Sequence, residues 1–373
     1  MPLRILKHLR GGTGQAGQTR MYDTGMRAGV RRLGKAAIKA HRAMRAAKLF
    51  LTLGGLLCLG MTRLCEGQRG DGPMGPEAAG GENFTLDVGG AHLQLEVTGA
   101  TPDLPVSALV EHFREAAQAV SSYYGRFPVP TARIRIMIAP DRAGILQGTT
   151  WGDMGGFPAV TRFRIGQHTT ALQLKEDWMA THELVHMALP SLGDDQHWLE
   201  EGLSTYVEPI ARAQLGQLTL EETWDGMLDG MPKGEPGNGD QGLDRTHTWG
   251  RTYWGGALFC MVAEVEIRKR TGNVHGLQDA LRGIVAAGGA INHEWPIEKT
   301  LAAGDAATGT TVLEDLYKSW STAPVTVDLP SLWKQLGVSH SGSKVVFDDA
   351  APLAGMRKSI TTPRNQAAHR NEK

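Results

Sequence analysis

Cysteine is scarce in this chain of 373 residues, which contains only Cys58, Cys65 and Cys260. The first two lie near the N-terminus, and the remainder of the chain offers Cys260 no second cysteine for a disulfide bond. The sequence therefore excludes a small scaffold held together by disulfides. Cys260 lies in the apolar run 257–263, where we expect it to be buried as a small hydrophobic residue.

Net charge is also absent, because 39 Lys and Arg residues balance 39 Asp and Glu residues. The two signs are distributed unevenly: residues 1–48 contain 12 basic residues and one acidic residue, Asp23. From Gln68 onward the chain has 26 basic and 37 acidic residues. A body with this acidic excess lacks a broad phosphate-binding face, so we expect no nucleic-acid partner.

The chain contains no apolar run of the roughly 20 residues that a bilayer-spanning helix needs. Residues 49–61 are apolar and follow the basic segment, an order that is typical of an export signal. We therefore expect residues 1–67 to be a basic extension and a signal peptide cleaved near Gly67, with Met44 as an alternative start. An uncleaved membrane anchor at 49–61 is the other interpretation. Both place the body outside the cytoplasm, in the periplasm, the cell envelope or the extracellular space.

Residues 68–81 are rich in Gly, Pro and acidic residues and are predicted to be a linker. Residues 82–176 combine strand and helix patterns and are predicted to form a mixed α/β subdomain. The predicted helix spans 106–124, and the predicted strands span 84–88, 92–97, 132–138, 161–165 and 171–174.

Helical periodicity dominates residues 177–337, which we expect to form a mainly helical subdomain. Segment 232–242 is a predicted loop, either a mobile rim or a plain surface connection. The tail 338–373 contains one strand pattern, at 344–347, and an otherwise irregular polar end. This order of elements indicates an α+β fold. The predicted helices span 177–188, 198–215, 251–270, 277–286 and 312–320.

The segment His182-Glu183-Leu-Val-His186 is the strongest chemical signal in the sequence. Two histidines four residues apart lie on one face of a helix, where both imidazoles can bind a single zinc ion. The intervening Glu183 then lies beside the metal-bound water and is a candidate general base. Trp178 is expected at an apolar position of the same helix. Two surface histidines on an ordinary helix are the alternative.

The next helix begins with Trp-Leu-Glu200-Glu201-Gly, which can supply a third ligand. Two histidines plus a carboxylate form the ligand set of a catalytic zinc site, with the fourth position left for water. Glu208 lies seven residues beyond Glu201 on the same face, where we expect it to accept a hydrogen bond from a zinc-binding histidine. Acidic residues at a helix start also have a plainer explanation, because they complement the helix dipole.

Together these segments resemble the gluzincin metallopeptidases, whose pattern W-L-x-E-G-x-x-x-Y is matched by residues 198–206. The resemblance implies that Glu201, rather than Glu200, is the third ligand of one Zn²⁺ per chain. It also implies a thermolysin-like catalytic half. The short interval between His186 and Glu201 is similar to that of the compact peptidase-MA-like members.

Residues 250–268 are similar to a glycine-rich helix of the glycyl aminopeptidase family. In that family a tyrosine donates a hydrogen bond to the tetrahedral intermediate, and Tyr253 is the matching position; a packing role is the alternative. Aminopeptidases of this clan hold the substrate amine with a G-x-M-E-N strand. The nearest counterpart here, 152–156 with Met154 at its centre, lacks the Glu and the Asn. An aminopeptidase and an endopeptidase therefore remain open alternatives.

Taken together, these features predict a zinc-dependent metallopeptidase that hydrolyses peptide bonds in a peptide or protein substrate. Glu183 takes the proton of the zinc-bound water, and Tyr253 stabilises the oxyanion. His197 and Met154 are weaker candidates for substrate contact. One alternative is a catalytically inactive, zinc-stabilised binding or assembly module of the cell envelope. Another is a membrane-anchored structural protein with a fortuitous motif. The sequence does not indicate the oligomeric state.

Overall fold

The computed structural model describes residues 81–363. The predicted extension and signal sequence at 1–67, including the candidate anchor at 49–61, lie outside the described residues. The described chain begins with a five-stranded mixed sheet and one long helix and continues into a mainly helical half. This order confirms the predicted α+β arrangement.

The sheet has the strand order β1-β2-β3-β5-β4. β2 and β5 pair in parallel with β3 at the centre, whereas β1 and β4 pair antiparallel at the two edges. Four predicted strands lie within β1, β2, β3 and β5, but edge strand β4 has no counterpart in the sequence prediction. The strands are β1 Glu82–Val88, β2 Ala91–Gly99, β3 Thr131–Ala139, β4 Ile145–Met154 and β5 Phe157–Gly166.

Helix α1, Val106–Tyr124, connects the parallel strands β2 and β3 and has the predicted bounds. Parallel strands require such a crossover, and the helix packs its apolar face on the sheet. Its buried Leu109, Phe113 and Val120 recur at helical spacing, and the ring of Phe113 lies 4.8 Å from that of Phe163 on β5. Each fully buried side chain of this size is worth roughly 1.5–3 kcal/mol, so this face fixes the helix in place.

The helical half follows β5. A π-helical turn, Gly250–Gly255, leads into helix α6, Gly256–Arg270, where Cys260 is buried as predicted. Three helices have no counterpart in the sequence prediction: α5 at Leu220–Gly230, α8 at Ile297–Thr308 and α10 at Leu329–Leu336. The elements are α2 Ala171–Lys175, α3 Met179–Val185, α4 His197–Gln214, α5 Leu220–Gly230, α6 Gly256–Arg270, α7 Leu277–Ala286, α8 Ile297–Thr308, α9 Val312–Trp320, α10 Leu329–Leu336, β6 Val338–Ser341, β7 Lys344–Phe347 and α11 Ala354–Thr361.

The predicted strand at 171–174 is wrong, because these residues form helix α2. The Thr170 hydroxyl accepts a hydrogen bond from the N–H of Gln173, and the Gln173 side chain accepts one from the N–H of Thr170. This capping box satisfies two N–H groups that would otherwise lack a partner at the helix start. The capping box therefore favours a helix here more strongly than the short alternation of apolar and polar residues favours a strand.

The predicted irregular end of the tail is wrong for residues 354–361, which form α11. The buried guanidinium of Arg357 donates hydrogen bonds to the carbonyls of Leu336 at 2.9 Å and Gly337 at 2.6 Å. Ile360 on the same helix is buried. Contacts with distant residues therefore stabilise this helix, and its local sequence carries little apolar signal.

The loop 232–242 is attached to the helical half rather than extended from it. The carboxylate of Asp240 lies 2.8 Å from Nε of Arg251, with both side chains buried, and Glu235 accepts a 3.2 Å hydrogen bond from the N–H of Val327. These contacts favour a surface connection over a mobile rim. Among residues 81–363, no helix combines the length and the apolar composition that crossing a membrane requires.

Candidate metal centre

Asp177 fixes the start of α3, the helix that carries the histidine pair. Its carboxylate accepts hydrogen bonds from the N–H groups of Met179 and Ala180, both at 3.0 Å, and so caps the helix. At its other end the helix tightens into a 3-10 turn that begins at His186. The ring centroids of His182 and His186 are 4.9 Å apart, and the two imidazoles meet edge to face.

Glu201 on α4 approaches both histidines. Its Oε2 atom lies 3.1 Å from Nε2 of His182 and 3.6 Å from Nε2 of His186. One ligand atom from each of the three residues lies within 4.8 Å of the other two. The His182 side chain is 5% exposed, and the other two are each 13% exposed. The structure therefore brings the three predicted ligands together from two helices.

Two glycines allow α4 to lie against the start of α6. A Cβ atom at Gly202 would lie 2.2 Å from Cα of Gly256, and a Cβ atom at Gly256 would lie 2.0 Å from the carbonyl oxygen of Trp198. Because no side chain fits there, the two segments touch through their backbones. Gly202 directly follows Glu201, so this ligand is presented beside the start of α6, three residues after Tyr253.

Glu200 has a role different from that of its neighbour Glu201. Its Oε1 accepts a hydrogen bond from the N–H of Leu192 at 2.9 Å, and its Oε2 lies 3.0 Å from Nδ1 of His197. These contacts connect the first turn of α4 to the preceding loop. Glu200 thus stabilises the segment that presents Glu201 and is not one of the three grouped ligand residues.

The charges of the cluster favour a cation. Burial raises the pKa of Glu201, but the charge of His186 and the hydrogen bond from His182 outweigh burial and lower that pKa to about 2. Burial lowers the pKa of His182, whereas its hydrogen bond to Glu201 and the charge of Glu183 outweigh burial and raise it. Both shifts arise because the Glu201 carboxylate lies against the two imidazoles and places a negative charge beside them.

Glu183 is buried on α3 and is held by edge strand β4. The hydroxyl of Thr150 lies 2.8 Å from Oε2 of Glu183, to which it donates, and 3.1 Å from the hydroxyl of Thr161 on β5. Gly148, two residues earlier on β4, leaves room for the carboxylate, because a Cβ atom there would lie 2.6 Å from Cγ of Glu183. The sheet edge therefore orients the candidate base.

Tyr253 lies in the π-helical turn, where the sequence predicted the start of a regular α-helix. Its half-buried ring stacks near that of His182, with centroids 6.3 Å apart and an interplanar angle of 21°. π-Helical turns are rare and frequently occur at functional sites. The structure thus places the predicted oxyanion donor next to the ligand group.

Glu208 was predicted to accept a hydrogen bond from a zinc-binding histidine, but in the structure it accepts one from an arginine. Its buried carboxylate accepts a 2.7 Å hydrogen bond from Arg212, one helical turn later, and Arg212 also donates to the carbonyl of Lys175 at 3.3 Å. A buried carboxylate requires a partner, and this guanidinium supplies it. Glu208 affects His182 through its charge, which helps to raise the histidine pKa.

His197 lies beside the ligand group, and Met154 lies at the end of β4. The Nε2 atom of His197 is 3.4 Å from Oε1 of Glu201, and its side chain is 54% exposed. Met154 is 37% exposed and follows Thr150 by four residues, or about 13 Å of strand. The structure brings His197 to the site and places Met154 on the strand that holds Glu183.

Sequence reasoning missed the residues on neighbouring elements that support the site. Thr150 and Gly148 lie on an unpredicted strand, and their local pattern gives no signal of a contact with the metal motif. Asp244 accepts hydrogen bonds from the indole N–H of Trp198 and the hydroxyl of Tyr317, both at 2.7 Å. Because these partners are distant in sequence, local periodicity cannot predict their contacts.

Comparison with solved structures shows a similar fold. The chain is similar to an aminopeptidase N family protein from Idiomarina loihiensis, with a TM-score of 0.52 and 13% sequence identity, covering 69% of this chain and 49% of that one. It also matches an M1 zinc metallopeptidase from Deinococcus radiodurans, with a TM-score of 0.44 and 15% identity, covering 67% of this chain and 54% of that one. The chain thus spans about half the length of these proteins. No protein-family model and no curated protein matches the sequence.

Proposed function

We propose that this chain is a zinc-dependent metallopeptidase in which His182, His186 and Glu201 bind the metal and Glu183 is the general base. The observation that carries the proposal is the convergence of three ligand atoms from two helices, next to a carboxylate that the sheet edge orients. A thermolysin-like gluzincin site fits this arrangement. The fold likeness to an aminopeptidase N family protein is consistent with it.

The ligand set suits zinc better than a harder cation. Two imidazole nitrogens and one carboxylate oxygen are typical of catalytic zinc, whereas Ca²⁺ and Mg²⁺ prefer oxygen ligands. One ion per chain matches three ligands with a position left for water or substrate. Zinc bound there would lower the pKa of water toward about 7 and polarise the substrate carbonyl. Because His182 is buried against Glu201, two ordinary surface histidines are a poorer explanation.

Glu183 takes a proton from the attacking water and passes it to the leaving amine in this mechanism. Its Oε2 atom is held by the hydroxyl of Thr150 at 2.8 Å, which leaves Oε1 for the water. The hydroxyl of Thr161, which is fully buried, lies 3.1 Å from the hydroxyl of Thr150, so the threonine pair is fixed in position. Because the base is oriented before the reaction, less entropy is lost in reaching the reactive geometry.

Tyr253 donates its phenolic O–H to the oxyanion that develops as the peptide carbonyl is attacked. Its ring already lies beside that of His182, at a centroid distance of 6.3 Å. A donor placed before the reaction interacts most strongly when the negative charge forms, and the loss of one such donor typically lowers kcat by about 10²–10³.

Edge strand β4 provides a surface for an extended substrate. In the described sheet β4 pairs with β5 on one side, and its other edge from Thr150 to Met154 can pair with a peptide main chain beside Glu183. Residues 152–156 lack the Glu and Asn that would hold a free amine. Blocking the N-terminus of a cleaved peptide distinguishes the two activities, because an aminopeptidase would lose activity and an endopeptidase would keep it.

The protein is further proposed to act outside the cytoplasm, because the basic segment and the apolar run 49–61 have the order of an export signal. Cell fractionation tests this proposal, and recovery of the chain in the cytosol alone would contradict it. The mass of the exported chain separates the two forms: cleavage near Gly67 indicates a signal peptide, and the full mass indicates an anchor.

The test of the proposed function is the variant Glu183→Gln, which removes the base and leaves the three ligands in place. We expect one zinc ion per chain, as in the parent, and a rate of peptide cleavage at least about 10²-fold lower. Glu200→Gln is the matched control and should keep both properties. Cleavage of no peptide in a broad library by the zinc-loaded parent would support the alternative of an inactive, zinc-stabilised binding module.

A further inference from the structure

The two most exposed tryptophans of the chain both lie at the candidate site. Of nine tryptophans, Trp178 and Trp249 are each 48% exposed, and the other seven are buried or partly buried. The indole of Trp178 meets His182 edge to face, with centroids 5.2 Å apart, and that of Trp249 stacks on Tyr253 at 5.9 Å. The sequence placed Trp178 at an apolar helix position, whereas the structure leaves it half in solvent.

These four rings form one continuous aromatic band. Trp178 contacts His182, His182 stacks near Tyr253 at 6.3 Å, and Tyr253 stacks on Trp249. The two indoles therefore lie on either side of a candidate metal ligand and the candidate oxyanion donor. A peptide whose carbonyl reaches Tyr253 therefore lies within reach of the indole of Trp249, which stacks on that ring.

A half-exposed indole has apolar surface that water solvates poorly and that a ligand can cover. Transfer of apolar surface out of water is favourable, and a flat, rigid ring loses little conformational freedom on contact. For this reason tryptophan is enriched among the side chains that dominate binding energies. The position of both exposed indoles at the site indicates that they contact substrate.

The groups around the aromatic band favour an apolar side chain of the substrate over a basic one. The carboxylates next to the aromatic band already have partners: Glu201 contacts two histidines, Glu183 accepts from Thr150, and Asp177 accepts from two N–H groups. They therefore offer little to a substrate Lys or Arg.

We propose that Trp178 and Trp249 form apolar subsites that accept a large aromatic or aliphatic side chain of the substrate next to the scissile peptide bond. The inference rests on the proposed function and names its substrate class. Burial of one such side chain against an indole should raise kcat/KM by at least about tenfold over a glycine at the same position.

The kinetic test uses internally quenched peptides with both ends blocked or with a free amine, identical except for Phe, Leu, Gly, Asp or Arg at each position beside the cleaved bond. The parent should prefer Phe or Leu by at least about tenfold in kcat/KM. Trp178→Ala or Trp249→Ala should remove the preference at one position, and Phe at the same site should restore most of it. Leu220→Ala is the control, because Leu220 is 45% exposed and follows the far end of α4.

A binding measurement gives a readout that does not depend on turnover. In the Glu183→Gln background, calorimetry should show that the Phe peptide binds at least about tenfold more tightly than the Gly peptide, and that Trp249→Ala or Trp178→Ala removes the difference. Thermal unfolding of each variant confirms that it folds. The zinc content should be unchanged.

The outcomes separate this inference from the proposed function. Equal cleavage of all peptides, a preference for Arg or Asp, or an unchanged preference in both Trp→Ala variants would overturn the subsites while the peptidase function stands. If the parent cleaves nothing but the Glu183→Gln chain still binds the Phe peptide selectively through the indoles, the subsites stand and the peptidase function fails.

Discussion

The hydroxyl of Thr150 lies 2.8 Å from Oε2 of Glu183, so a strand that is distant in sequence from the metal motif orients the candidate base. The same hydroxyl also lies 3.0 Å from the Glu183 carbonyl. Because a hydroxyl has a single hydrogen, Thr161 at 3.1 Å can donate to Thr150 while Thr150 donates to the carboxylate. The relationship joins the sheet to α3 at the carboxylate that we propose as the general base.

Replacing Thr150 with Val should slow turnover without removing zinc. Val keeps the shape and the strand preference of Thr but lacks the hydroxyl, so Glu183 loses its hydrogen bond from β4. A hydrogen bond to a charged group is worth about 1.5–3 kcal/mol, and we expect kcat to fall about tenfold or more with KM little changed. Thr150→Ser should restore most of the rate. Thr149→Val is the neighbouring control, since its hydroxyl bonds to the carbonyl of Gly148; an equal loss there would indicate a general effect on the strand.

Gly148→Ala should lower activity more than stability. The added Cβ would lie 2.6 Å from Cγ of Glu183, and the carboxylate can move away by rotating its side chain. A displacement of about 1 Å at a catalytic group can lower the rate about 10²-fold. Steady-state kinetics and thermal unfolding on the same sample test this, and a variant with the parent kcat would show that Glu183 tolerates the shift.

Gly202→Ala should destabilise the fold and weaken zinc binding together. Its Cβ would lie 2.2 Å from the backbone of Gly256, so α4 and α6 must separate, at a cost of at least about 2 kcal/mol. Gly226→Ala on α5 is the matched control, because its Cβ would meet no atom within 4 Å. There we expect stabilisation by roughly 0.5–1 kcal/mol. Denaturant unfolding compares the two; equal free energies of unfolding would contradict the close contact.

Chelation of the metal should abolish cleavage and leave the chain folded. Apolar side chains of the sheet and of the helices form one large buried core, so we expect the fold to persist without zinc and the metal to add its binding free energy. At a zinc concentration of about 100 times Kd this contribution is about 3 kcal/mol, which corresponds to a loss of roughly 5 °C in Tm for a folded part of this size. Circular dichroism before and after chelation checks it. Complete unfolding on chelation would instead indicate a structural zinc site.

The sequence predicted those parts of the site that depend on the spacing of residues within one helix. His182 and His186 lie together because four residues make about one helical turn, and the segment at 198–206 is the start of a helix in the structure. The long helix α1 was predictable for the same reason, since its buried residues recur with helical period over 19 residues.

The parts that could not be predicted depend on contacts between distant segments. Thr150 reaches Glu183 only because β4 is the edge strand next to β5, and no local pattern specifies that pairing. Glu208 is a different case: its partner Arg212 lies one helical turn later on the same helix, whereas we expected a histidine from the neighbouring helix. Trp178 was misplaced because its spacing fits an apolar face, although it stands at the exposed start of α3.

The most direct test of the central claim is the zinc content of the purified full-length chain compared with three single variants. The parent and Glu200→Gln should each hold one zinc ion, and Glu201→Ala should lose it, because Glu201 lies against both histidines while residue 200 only accepts from the N–H of Leu192. His340→Ala should retain one ion, since its exposed group with Asp225 and Asp229 is not the proposed site. A Glu201→Ala chain that binds one zinc ion as tightly as the parent would contradict the account.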